Sequence, residues 1–385
     1  MQTGRTRLDW VDTAKGISIL LVVLVHAAHW LEYAGVTSRA LTDVNEALST
    51  LRMPLFFCMS GLFAAKWLDR PWRELWSGKL SLLLWVFIVW QPMVLGYKLL
   101  AASTLPDQED SSVVAHLARF VLSPVRPSGE LWFLWGLVLF FVVAKVLSRL
   151  PVWLHLGIAA AVSASWWGIA EAALSDGVLR ILSNGWRGAA TYYLFFVIGI
   201  LGRKQILAAV AGASRGLLLA LVLLWAAVMT AAVTFDVVAA VPVALFLLKL
   251  LGLVGGVGLA VLLSDIRALV RLGSQTLQVY VAHTTFVVLI AVILAQFDLR
   301  LVDDVAAFVL PLVAVAVAVA LSLALHRAVL STRARFLYVQ PDWFARAERP
   351  ALSRLRLPRV PRRSGEPGRR MDEAGRAGDG LSPSR

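Results

Sequence analysis

The sequence predicts an all-α protein that crosses a membrane many times. Of its 385 residues, 59% are hydrophobic and only 16% are charged, and the mean hydropathy is +0.75. A soluble domain has about a quarter of its residues charged, so these values exclude an ordinary water-soluble enzyme. Long apolar segments alternate with short polar connections, which is the pattern of helices that each need about 20 apolar residues to span a bilayer.

About ten apolar segments follow one another along the chain. We expect transmembrane helices over residues 15–34, 52–68, 80–100, 131–148, 152–171, 189–202, 216–235, 239–263, 274–296 and 305–329. The segment at 189–202 is the shortest of these. Its loss would reverse the orientation of every segment that follows it.

Lys and Arg are concentrated in alternate connections. With the N-terminus inside, the inner connections hold most of them, among them Lys15, the run from Lys66 to Lys79, and Arg271. This positive-inside bias predicts that both termini are cytoplasmic in a multi-pass protein of the plasma or inner membrane. The first apolar segment lacks a small-residue cleavage site, so we expect it to remain as a helix.

The composition changes at about residue 331. Residues 1–330 form the predicted membrane domain, whereas residues 331–385 are rich in Arg, Pro, Gly and Ser and are expected to be a disordered, basic cytoplasmic tail. Membrane lipid is the expected partner of this tail, in preference to nucleic acid. The single cysteine, Cys58, excludes an intrachain disulfide, and no Cys-rich metal site is predicted.

A few ionisable side chains fall inside the apolar segments, where they are costly and commonly functional. They are His26, His29, Lys249 and His283, with Arg52, Glu130, Glu171 and Arg187 near the expected outer ends of their helices. Lys15 and His26 are 11 residues apart, which places them on one helix face about 16 Å from each other. His283 follows Leu272 by 11 residues in a helix of the same direction, so the two histidines should lie at similar depth. The sequence leaves the role of Lys249 unexplained.

Taken alone, these residues leave alternatives open. An intramembrane histidine can be a packing residue or a general base that exchanges protons near neutral pH. The basic residues Arg70, Arg73 and Lys79 can be a topology signal or a site for a phosphate-bearing ligand. A proton-coupled transporter of a glycan or organic acid, with the histidines as relays, is the functional alternative to an enzyme.

Five motifs resemble those of the acyltransferase-3 superfamily of integral membrane O-acyltransferases. They are Trp10-Val-Asp12-Thr-Ala-Lys15-Gly16 continuing to His26, Met53-Pro-Leu-Phe-Phe with Ser60-Gly61, Leu131-Trp132-Phe133-Leu134, Leu194-Phe195-Phe196 with Gly199, and Leu272-Gly273 with Leu277, Tyr280 and His283. The ordered set spans about residues 7–330. The Asp-x-Ala-Lys-Gly form of the first motif is similar to the fucose O-acetylase-like branch.

The resemblance implies an enzyme that moves an acyl group, usually acetyl, from cytoplasmic acyl-coenzyme A to a hydroxyl of a glycan, glycolipid or other envelope acceptor. It implies that His26 is the essential histidine, with His283 in the same site. Lys15 stands where the family usually has Arg and would lie near coenzyme A. Either Arg70 and Arg73 or Lys79 would hold the coenzyme A phosphates.

Arg52 is a candidate for binding an anionic acceptor or for stabilising an oxyanion. Acyl-coenzyme A is expected as a co-substrate, with no permanently bound cofactor. Glu130 precedes Trp132 and does not match the position of the glutamate in the family's motifs, so no catalytic Glu is predicted. The sequence makes no prediction of oligomeric state.

Overall fold

The computed structural model describes residues 8–105, 112–127, 129–165, 183–235, 242–297 and 302–346, and all regular structure in these ranges is helical. The helices are α1 (Asp9–Glu32), α2 (Arg39–Leu68), α3 (Trp72–Thr104), α4 (Val113–Leu122), α5 (Trp132–Val146), α6 (Val152–Ser165), α7 (Asn184–Leu201), α8 (Arg203–Gly212), α9 (Arg215–Thr234), α10 (Pro242–Leu262), α11 (Arg267–Gly273), α12 (Thr276–Leu294), α13 (Asp304–Leu330) and α14 (Asp342–Ala345).

Eight of these helices are long and apolar enough to cross a membrane: α1, α2, α3, α5 with its last turn, α9, α10, α12 and α13. Helix α7 becomes a ninth span if it is counted together with α8, from which it is bent by 72°. Helix α6 has 14 residues, and the rest of its predicted segment lies outside the described residues. The predicted class, a polytopic helical membrane protein, is confirmed, and each of the ten predicted segments contains a helix.

Helix α2 begins at Arg39, well before the predicted start at residue 52. The Ser38 hydroxyl caps it by accepting the backbone N–H of Leu41 at 3.3 Å. Hydropathy missed residues 39–51 because polar side chains are frequent there. The consequence for the site is that Arg52 lies in the middle of a 30-residue helix. Its predicted position near the outer end of that helix is therefore wrong.

Proline 54 is inside α2 and not in its first turn. Since proline has no backbone N–H, the Thr50 carbonyl loses its helical partner. That carbonyl lies against Gly252 of α10, where a Cβ atom would collide with it. Glycine at this point therefore lets α10 approach the unpaired part of α2 closely.

Two motif glycines hold α2 against α7. A Cβ at Gly61 would meet the Phe196 carbonyl, and a Cβ at Gly199 would meet the Cys58 carbonyl. Helices in a membrane associate largely through such close backbone approach, because lipid is as apolar as the side chains it would replace. The small residues of these two motifs thus have a packing role that accounts for their presence.

Residues 333–346, which we call the C-terminal segment, are structured and pack on α3. The predicted disordered tail therefore starts too early at 331. Three indole N–H groups of α3 donate to carbonyls of the segment: Trp85 to Phe336 at 2.6 Å, Trp90 to Leu337 at 2.8 Å and Trp76 to Phe344 at 3.2 Å. The remainder of the predicted tail, 347–385, lies outside the described residues.

Candidate active site

Lys15 lies in the second turn of α1, at an end of the bundle that we call the basic end because Lys15, Lys66, Lys79 and Lys145 are there. The Lys15 ammonium is 3.9 Å from an Asp12 carboxylate oxygen and 4.1 Å from the centre of the Phe63 ring in α2. Its side chain is 19% exposed, so it can reach a ligand that enters at this end.

His26 lies on the same face of α1 as Lys15, about 16 Å further along the axis. Its ring centre is 5.3 Å from that of His283 in α12, and the two ring planes are inclined by 44°. His26 is partly buried, whereas His283 is fully buried. The structure thus brings together the two histidines expected at similar depth, and His26 is the less buried of the two.

Backbone contacts orient the His283 ring. Its Nδ1 is 3.1 Å from the Val279 carbonyl oxygen and 2.7 Å from the Tyr280 carbonyl oxygen. Because carbonyls only accept hydrogen bonds, Nδ1 is the atom that carries the hydrogen. Nε2 is then free to accept from the Thr284 hydroxyl, which lies 3.2 Å away.

Glu130 supplies a carboxylate to this site. It is 8% exposed, and its two oxygens accept hydrogen bonds from the Tyr97 hydroxyl at 2.5 Å and from the Lys98 ammonium at 3.1 Å. Its charge interacts electrostatically with both His26 and His283. The sequence did not assign Glu130 a role. Tyr280, which bonds the Glu130 carbonyl and whose ring centre is 6.0 Å from that of His283, connects it to the site.

Tyr280 fixes the backbone that carries Glu130. Its hydroxyl donates to the Glu130 carbonyl and accepts the N–H of Phe133 at 3.2 Å, so one phenol joins α12 to the start of α5. The available sequence signal was a Tyr97-Lys98 pair in an apolar segment and an acid directly before the Leu131-Trp132 motif. Neither signal predicts that Glu130 contacts Tyr97 and Lys98, or that Tyr280 bonds its backbone, because these residues are far apart in the chain.

Two more cations lie inside the bundle. Arg52 donates from Nη1 to the Leu21 carbonyl of α1 at 3.4 Å and interacts electrostatically with His26. Lys249 of α10 is 3% exposed, with its ammonium 5.7 Å from the centre of the Tyr192 ring. Lys249, which had no predicted role, therefore joins the polar interior of the protein.

The predicted donor-binding residues divide into two places at the basic end. Lys79 lies in a π-helical turn at Trp76–Leu80 and interacts electrostatically with Lys66 at the end of α2, the helix that also contacts Lys15 through Phe63. Arg70 instead forms a half-exposed ion pair with Glu74 at 3.0 Å.

Arg73 faces the C-terminal segment. It lines an open cavity of about 420 Å³ together with Glu74, Ser77, Asp342, Ala345 and Arg346. Lys15 and Lys79 thus each lie near the last turns of α2, through Phe63 and Lys66 respectively, whereas Arg73 lies at the C-terminal segment. In the described part of the chain, no group of three or more His, Cys, Asp or Glu side chains could hold a metal ion.

The residues of this arrangement from α1 to α12 fall within a family match. Residues 8–327 match the family model of an acyltransferase domain, Acyl_transf_3. The chain belongs to this family. The match covers the five motifs, both histidines and Lys15, and it ends before the C-terminal segment.

Two curated relatives resemble this acyltransferase-3 protein over part of their length. The inner membrane protein YcfT of Escherichia coli is 26% identical over 182 residues, which cover 42% of this chain and 51% of that protein. The nodulation protein NolL of Mesorhizobium japonicum is 27% identical over 204 residues, which cover 51% of this chain and 48% of that protein. The aligned part is thus about half the length of each relative. No solved structure matches the chain.

Proposed function

We propose that this acyltransferase-3 protein is a membrane-embedded O-acyltransferase that uses acyl-coenzyme A, with acetyl as the preferred group. The acceptor would be a hydroxyl of a glycan, glycolipid or other cell-envelope molecule, as in the fucose O-acetylase-like branch. The observation that carries the proposal is the contact of His26 with His283, with ring centres 5.3 Å apart, on the helix face that begins at Lys15.

His26 would act as the general base. It accepts the proton of the acceptor hydroxyl while that oxygen attacks the thioester carbonyl, and it returns the proton to the sulfur when the carbon–sulfur bond breaks. Glu130 would stabilise the imidazolium that exists between these two steps, since its negative charge acts on His26. His283 is a positioning residue in this scheme, because it packs against His26 from a fully buried place.

The donor would enter from the basic end. Lys15 and Lys79 are candidates for the phosphates of coenzyme A, with Arg70 and Arg73 as the alternative pair. The distance of about 16 Å between Lys15 and His26 along α1 would be spanned by the extended pantetheine arm. The thioester would then meet the histidines inside the membrane while the nucleotide stays at the basic end.

We also propose the plasma or inner membrane as the location, with the basic end cytoplasmic. The distribution of Lys and Arg supports this orientation. Anionic lipid at the cytoplasmic leaflet would be the partner of residues 347–385, whose sequence is rich in Arg.

The test uses the full-length protein purified in detergent, radiolabelled acetyl-coenzyme A and extracted envelope glycans. Wild-type protein should label the glycans, and His26→Ala should lower the rate at least about 100-fold, the usual contribution of general base catalysis. His29→Ala is the matched control, because His29 lies one turn further along the same helix and is exposed. It should retain the wild-type rate.

Full activity of His26→Ala in folded protein would refute the mechanism. Absence of label in the wild type, together with glycan or organic-acid uptake into proteoliposomes that needs no acyl-coenzyme A, would favour the proton-coupled transporter. Folding of each variant is checked by gel filtration in detergent and by its thermal unfolding midpoint.

A further inference from the structure

Arg52 and Lys249 enter the same part of the bundle from two helices. Glycine 252 of α10 lies against the Thr50 carbonyl of α2, and a Cβ at Gly256 would be 3.0 Å from the Leu51 side chain. Lys249 is one turn from Gly252, and Arg52 is two residues from Thr50. The close glycine contact therefore brings the two basic side chains to one level of the structure.

Tyr192 of α7 connects the two cations. The Lys249 ammonium is 5.7 Å from its ring centre, and Arg52 interacts electrostatically with both Tyr192 and Lys249. The Tyr192 ring stacks on Phe57 with centres 5.6 Å apart, so its position is fixed by the aromatic core. The cluster of Arg52, Lys249 and Tyr192 is thus built from three helices and does not depend on loops.

Most of the donor capacity of Arg52 is not used by the residues that the structure describes. A guanidinium group has five N–H donors, and among the described residues the Arg52 side chain makes one hydrogen bond, to the Leu21 carbonyl at 3.4 Å. No described Asp or Glu forms an ion pair with it. The carboxylate of Glu130 is already shared by Lys98 and Tyr97.

A guanidinium charge such as that of Arg52 is costly inside a membrane unless an anion accompanies it. A guanidinium group binds two oxygens of a carboxylate or phosphate at once, and an ammonium group can bind a further oxygen. This geometry suits an oxyacid group better than the single oxygen of a tetrahedral intermediate. Since Arg52 bonds the carbonyl of Leu21, five residues before His26 on α1, such a group would lie on the same stretch of α1 as the proposed base.

We infer that Arg52 and Lys249 form an anion-binding subsite for the acceptor, so the molecule that is acylated carries a carboxylate or a phosphate beside its hydroxyl. Only the statement that the bound molecule is the acceptor rests on the proposed function. The subsite itself can be tested by binding without any acyl donor, which separates its failure from a failure of the proposed function.

The binding test uses full-length protein in detergent and three radiolabelled sugars in equilibrium dialysis: glucose 1-phosphate, glucuronate and neutral glucose. We expect at least one of the two anionic sugars to bind about 10-fold or more tightly than glucose, and the stronger of the two identifies the oxyacid. Arg52→Gln and Lys249→Met should each lower that affinity about 10-fold, which is the effect of losing a charge-assisted hydrogen bond.

Lys249→Arg should retain binding, because the charge stays. Arg215→Gln is the matched control, since Arg215 is a basic residue with an 89% exposed side chain. Lys249→Met keeps a side chain of similar length and removes the charge, and its thermal midpoint without ligand is measured to show that it folds.

Equal binding of anionic and neutral sugars would overturn the subsite, and so would wild-type affinity in the Arg52→Gln, Lys249→Met double variant. If the wild type binds the anionic sugar through Arg52 and Lys249 but transfers no acyl group to any acceptor, then the proposed function fails while the subsite remains.

Discussion

Deleting residues 336–385 should destabilise the protein, although the sequence suggests a dispensable tail. The deletion removes the acceptors of three indole hydrogen bonds, those of Trp76, Trp85 and Trp90. At about 1 kcal/mol each, these bonds contribute about 3 kcal/mol. Tyr338 is 6% exposed, and its burial adds about 2 kcal/mol. The expected loss is therefore about 5 kcal/mol.

The matched control is a truncation after Arg346, which keeps the C-terminal segment and removes only residues 347–385. Unfolding of both proteins by sodium dodecyl sulfate in detergent micelles is followed by tryptophan fluorescence, since the three indoles report directly on the segment. The shorter protein should unfold at clearly lower denaturant, whereas the longer one should match the full chain. Equal midpoints for the two truncations would show that the segment does not support α3.

Three further predictions concern the interior. Glu130→Gln should lower kcat for acetyl transfer about 100-fold at unchanged KM for acetyl-coenzyme A; an unchanged kcat would remove Glu130 from the site. Gly273→Ala places a Cβ against the Asp12 carbonyl and should cost about 1–3 kcal/mol in detergent unfolding, whereas Gly157→Ala, which meets nothing within 4 Å, should be neutral or stabilising by up to about 1 kcal/mol. Lys15→Ala should raise the KM for acetyl-coenzyme A about 10-fold, and Lys15→Arg should retain the wild-type KM. A wild-type KM in Lys15→Ala would exclude Lys15 from donor binding.

Errors in the sequence prediction have a common physical origin. Hydropathy marks the part of a helix that lies in lipid, so it placed the start of α2 at residue 52 although Ser38 caps the helix at Arg39. The same bias assigned the C-terminal segment to a tail. Three separate indole hydrogen bonds hold this segment on α3. Isolated contacts of this kind produce no hydrophobic periodicity in the sequence.

Glu130 is a site residue that the sequence alone could not identify. An acid between a polar loop and an apolar helix is common at a membrane boundary, and its own neighbours in sequence do not distinguish a surface position from a buried one. Only the pairing with Tyr97 and Lys98, and the anchoring of its backbone by Tyr280, place it beside His26.

The sequence by itself determined the fold class, the approximate places of the helices and the shared face of Lys15 and His26, because apolar length and the 3.6-residue period are local properties of a chain. About ten spans were predicted, and among the described residues eight helices, or nine with the bent pair α7–α8, are long and apolar enough to be spans. It also determined that His283 reaches a depth similar to that of His26. Only the tertiary structure decided which polar groups meet there. Contacts such as those of Gly252 with Thr50, or of Tyr280 with Glu130, join helices far apart in the chain, and they depend on how whole helices pack against one another.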